Sequence, residues 1–124
     1  MGRGIDWFKD YRIEKLSVVA DCPYHTDFRL QLLDTDGTSH SYGNVSIVWD
    51  LFEKITGKIF PTLPYEECID SEDYKLDLIE PSEMVKLCDM VLSDNRVDEV
   101  HMRDRFEWFK KLSEQGYYIA YDCE

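Results

Sequence analysis

A chain of 124 residues, 44% hydrophobic and 32% charged, has the makeup of one globular domain and not of a disordered segment. Its net charge of −12 argues against direct contact with nucleic acid or an anionic membrane surface. The longest uncharged stretch, residues 37–49, is too short and too polar to span a bilayer, and residues 1–6 hold no apolar signal core, so a cytoplasmic location is expected.

In chain order, residues 6–11 read either as a short helical turn or as an aromatic lead-in to a strand. Residues 12–20 follow as a strand, with Leu16, Val18 and Ala20 on one face. Pro23 marks a turn, because it cannot donate to a ladder. Phe28, Leu30 and Leu32 then alternate with Arg29 and Gln31, which predicts a strand over 28–34. The Asp34-Thr35-Asp36-Gly37 run turns the chain into a short strand around 40–42.

Asn44 opens a helix over Val45–Thr56 that Gly57 stops. Its apolar residues leave only a narrow polar strip at Ser46, Asp50 and Glu53, so it should be the most buried helix. Residues 58–73 contain Pro61 and Pro64 and show no period; an irregular connection of about fifteen residues leans towards function. Tyr74, Leu76 and Leu78 alternate with Lys75 and Asp77, which predicts a strand over 74–79. Pro81 starts a second helix striped by Met84, Val85, Leu87, Cys88, Val91 and Leu92. A third helix runs from near Asp98 to Gly116, with Val97, Met102, Phe106, Trp108, Phe109 and Leu112 on its apolar side. The aromatic run 117–121 supplies a last strand. Strands and helices do not alternate regularly, so residues 1–124 form a single α+β domain. The expected sheet is antiparallel or mixed, with about four to five strands that include 12–20, 28–34, 74–79 and 117–122. Three helices should cover it mainly on one face.

The charge is concentrated. Residues 66–83 hold eight acids against Lys75 alone, more than half of the net charge in about a seventh of the chain. Such a segment repels phosphates and attracts a basic partner, or else it only keeps the protein soluble. The partner-binding residues proposed on this basis are Tyr65, Glu66, Glu67, Asp70, Glu72, Asp73 and Tyr74, the tyrosines acting as anchors at either end. A second candidate is His101, Arg105 and Trp108 on the third helix, where imidazole, guanidinium and indole share an arc suited to a carboxylate or phosphate. The simpler alternative is that Arg105 lays its stem along the core edge and leads its charge to water.

Other chemistries fail on spacing. Cys22 and His25, with Asp27 nearby, have no second Cys/His pair to complete a zinc site. Four scattered cysteines read as free thiols in a reducing compartment, with Cys88 a small core hydrophobe. Twelve-residue calcium loops begun at Asp34 or Asp94 lack the required glycine and terminal glutamate. Neither a glycine-rich phosphate loop nor a G-x-S-x-G or H-E-x-x-H motif occurs. No metal, no cofactor and no catalytic residue is therefore assigned.

Three functions follow. The leading one is a non-catalytic acidic protein that binds or inhibits a basic protein, such as one that binds nucleic acid; immunity proteins and phage-encoded inhibitors offer an analogy of size and charge only. An accessory domain associating through an apolar aromatic surface is the second. A small enzyme with an unrecognised carboxylate or histidine site is the third.

Overall fold

A computed structural model describes residues 3–15, 28–35, 37–40, 45–64, 69, 71–97 and 100–123. It is an α+β fold with three helices and two small antiparallel sheets. The strands are β1 (Arg3–Phe8), β2 (Asp10–Lys15), β3 (Phe28–Leu33), β4 (Gly37–His40) and β5 (Tyr118–Cys123). The helices are α1 (Val45–Thr56), α2 (Pro81–Leu92) and α3 (Val100–Glu114). Instead of one sheet of four or five strands there is a three-stranded sheet, β4-β1-β5, and a two-stranded ribbon, β2-β3.

The split has a local cause. Strands β1 and β2 are separated by Lys9 alone, and both run antiparallel to the β3–β4 arm. The register slips by one residue between Trp7↔Gly37 and Asp10↔Leu33, and Asp34 beside the slip has φ 54°. One extra residue on one arm is a β-bulge, which bends and twists a hairpin. Here it turns the β2-β3 ribbon away from the plane of the main sheet. Strand β1, central in that sheet, pairs on its other edge with β5 (Ile5↔Tyr121, Trp7↔Ile119).

Side chains on β1 and β5 alternate between two cores, as a pleat requires. Ile5, Trp7, Ile119 and Tyr121 face the helices, where Phe52, Phe60, Phe106 and Phe109 form a ring cluster. Phe8, Ala120 and Tyr118 face the other way and meet Tyr11, Leu30 and Leu32 of the ribbon, together with Leu63, Leu76 and Leu78. The helices thus gather on one face of the main sheet, while the ribbon and two extended segments cover the other.

Helix ends follow the local chemistry. Gly57 (φ 74°) closes α1 by donating its N–H to the Glu53 carbonyl at 2.8 Å. At the end of α3, Gly116 (φ 89°) donates to Ser113 and Tyr117 donates to Leu112, a Schellman turn that hands the chain directly to β5. Pro81 opens α2, where its missing N–H costs nothing. Lys110 reaches Asp89 at 2.7 Å and Arg103 donates to the Leu92 carbonyl, so two points along α3 hold the last turn of α2. Helix α1 is less enclosed than expected: Val48 and Phe52 are buried, but Trp49, Leu51 and Ile55 are only half-buried. It stands at the margin of the helix layer, against α2.

Two further expectations need correction. Residues 74–79 are extended but form no ladder among the described residues; their alternation is that of a half-buried chain lying over a core. Of the short strand expected around 40–42, His40 ends β4 (Gly37–His40) and residues 41–42 lie outside the described residues. Of the strand expected over 12–20, residues 12–15 belong to β2, which begins at Asp10, and residues 16–20 lie outside the described residues. No helix among the described residues is long and apolar enough to cross a membrane.

Candidate functional site

The acidic segment is built on a connection that is anchored from below. Ile69 is fully buried in the middle of it. After it comes a tight turn: Tyr74 donates its N–H to the Ser71 carbonyl at 3.3 Å, and Asp73 donates to Ser71 Oγ at 3.1 Å. This turn puts Glu72 and Asp73 at an exposed tip and leaves Tyr74 half-buried. Beyond it, Leu76 and Leu78 turn in towards Phe8 and Ala120, while Lys75 and Asp77 turn out. The Leu76 N–H is held by the Tyr11 hydroxyl at 3.0 Å, which pins the segment to β2. Glu80 accepts a hydrogen bond from the Tyr118 hydroxyl at 3.3 Å; burial, then the Glu80 charge, raises the Tyr118 pKa.

Every described acid of residues 66–83, namely Glu72, Asp73, Asp77, Glu80 and Glu83, is exposed. They follow the outer side of the segment and the first turn of α2, with Lys75 the one base in that run. Of the residues proposed from sequence, Tyr65, Glu66, Glu67 and Asp70 lie outside the described residues. Glu72, Asp73 and Tyr74 are placed together at the turn.

A groove runs beside this segment, and the pattern of the sequence did not point to it. Residues 59–62 form one wall and 77–79 the other. It comprises two adjoining cavities of about 210 and 360 Å³ that share Ile59, Asp77 and Ile79. Glu83 and Lys58 lie towards one end and Thr62 towards the other. Ile59 is 77% exposed, the most exposed large hydrophobic residue described. A lone isoleucine after a helix-stopping glycine carries no periodic signal, so only the fold reveals it.

Of the second candidate, only part lies within the described residues. Trp108 packs edge-on against Trp7, with ring centroids 5.2 Å apart and planes at 85°. Arg105 is half-buried and already engaged, and the His101 side chain lies outside the described residues although its backbone belongs to α3. Cys22, His25 and Asp27 also lie outside them. Among the described residues, no three His, Cys, Asp or Glu side chains gather closely enough to hold a metal ion.

Two other groups with shifted pKa serve the fold, one in the core and one at a turn. Cys88 is fully buried in the helix-side core, and burial, reinforced by the Asp89 charge, pushes its thiol pKa up to about 12. That thiol is an inert packing group rather than a nucleophile. At the α2–α3 turn, Asp94 accepts hydrogen bonds from Arg96, and these lower its pKa to about 2. The pair is a clip for the turn.

No family model, no curated protein and no solved structure matches this chain.

Proposed function

We propose that the protein is a non-catalytic binding or inhibitory protein that engages a basic protein partner through the acidic cover of residues 66–83. The observation that carries this reading is the uniform exposure of Glu72, Asp73, Asp77, Glu80 and Glu83 on a segment fastened beneath by Ile69, Leu76 and Leu78. Carboxylates held on a fastened segment form a steady negative field, whereas a free tail would average it away. Such a field speeds encounter with a basic surface and disfavours phosphate-bearing ligands. If the partner's basic surface ordinarily holds DNA or RNA, carboxylates and phosphates compete for the same cations. Association then weakens steeply with added salt.

Among the alternatives, an aromatic association surface has little to support it. Every described Trp, Tyr and Phe is buried or half-buried, and most pack on one another.

The test is affinity capture from nuclease-treated lysate of the source cell, at low and high salt, with captured proteins identified by mass. Wild type is compared with a variant carrying Glu66→Gln, Glu67→Gln, Asp70→Asn, Glu72→Gln and Asp73→Asn. A basic protein retained by wild type alone and released by salt is the expected result. Equal, salt-resistant capture by both proteins would overturn the reading.

A further inference from the structure

We propose that the groove between residues 59–62 and 77–79 receives an extended segment of the partner, basic and apolar in alternation, as an added β-strand. The inference rests on the acidic-docking reading above and gives it a binding mode. Three observations converge on the groove.

The first is the backbone of its walls. Thr62 forms a parallel bridge with Tyr121, in which the Leu63 N–H donates to the Tyr121 carbonyl and the Tyr121 N–H donates to the Pro61 carbonyl, both at 2.8 Å. In that pattern the N–H and C=O of Thr62 itself point away from β5. Across the groove, 77–79 is extended, and among the described residues its backbone groups make no hydrogen bond. Only Leu76, just before it, is tied, through the Tyr11 hydroxyl. Both walls therefore present main-chain donors and acceptors that an extended peptide can satisfy and a helix cannot.

The second is apolar. Ile59 stands 77% exposed at the mouth, and Ile79 lines both cavities behind it. A β-branched or aliphatic side chain on an incoming strand would cover them.

The third is charge. Asp77 and Glu83 line the groove against Lys58, and neither acid forms an ion pair among the described residues. Lysine or arginine at alternate positions of the incoming strand matches this lining. Asp77 also bars a second copy of the same acidic segment, as a charge on an exposed edge does. The occupant is therefore a basic segment of another protein.

The probe is an acetylated, amidated peptide of alternating lysine and valine, titrated into the isotope-labelled full chain and followed by NMR. Expected are shifts and slowed exchange at the amides of Thr62, Asp77, Leu78 and Ile79. An equally charged peptide N-methylated at every backbone nitrogen should fail to bind, because it cannot donate to either groove wall. Ile59→Ser, at so exposed a site, removes the apolar contact without changing the charge; it should keep the thermal midpoint of wild type and weaken binding by about tenfold or more. Should that variant fail to fold, the two peptides on wild type decide the matter. Equal binding of both peptides, with shifts confined to Glu72, Asp73 and their neighbours, would overturn the groove and leave the acidic reading intact. Absence of peptide binding would also overturn the groove, and capture with the five-acid variant judges the broader reading independently.

Discussion

The helix side of the main sheet meets a core in which fourteen described hydrophobic residues are buried, from Ile5 through Phe52 and Phe106 to Ile119. The opposite side buries three, Phe8, Leu63 and Ala120, under a lid of half-buried Tyr11, Leu30, Leu32, Leu76, Leu78 and Tyr118. The difference separates two tasks. Closely packed rings and helix-to-helix clips hold the fold, while a thin lid carries the exposed Glu72, Asp73 and Asp77; the groove lies at the seam of the two, since Phe60 and Ile79 in its lining belong to the helix-side core. A surface for partners is better placed on the lid, where local adjustment leaves the main core undisturbed. The same contrast sets what mutation should do on each side.

The largest effect is expected from Phe106→Ala. The ring is fully buried between Phe52 and Phe109, so truncation should cost about 3–5 kcal/mol, a large part of a small domain's stability. Denaturant midpoints measure it, and a loss below about 1 kcal/mol would mean that the helix side is no better packed than the lid.

A smaller and conditional effect belongs to Cys88. Its folded pKa of about 12 lies above the ordinary 9.0, because burial favours the neutral thiol. The stability tied to keeping that thiol protonated is complete below pH 9 and is lost as pH rises from 9 towards about 12. Cys88→Ala should flatten this alkaline limb in a series of denaturant midpoints. An unchanged limb would show that water reaches the thiol.

The smallest effect tests the lid. Tyr11→Phe removes the acceptor of the Leu76 N–H and should cost about 1 kcal/mol. Amide exchange should quicken over 74–79 while α2 and α3 keep their protection. Uniform quickening across the chain would mean that lid and core open together, and the separation drawn above would fail.

Helices were the most legible part of the sequence. Gly57, Pro81 and Gly116 mark their limits, and α1 and α2 match the expected bounds because one stop or start signal outweighs the scatter in periodicity. Strand β1 was the least legible, although it is central. Its Gly4 and Asp6 are weak strand formers on one face, and nothing local announces that β4 and β5 will flank it. Residues 74–79 erred in the opposite sense. Alternation reports which side chains are covered and not whether the backbone has a neighbour, so an unladdered segment reads as a strand. The acidic cover was visible as a charge count. The groove was not, since its walls come from two connections that only the tertiary fold brings side by side.

The pairing of β1 with β5 also constrains how the chain is made. Residues 3–8 must find residues 118–123 across almost the whole sequence, whereas α2 and α3 are near neighbours along it. Contacts of such separation form late, because their loop-closure entropy has to be met before they contribute. On the ribosome, β1 is therefore synthesised long before β5 and stays without that edge until residues 118–123 emerge. The helical pair can assemble before that, so the main sheet closes onto helices that are already packed.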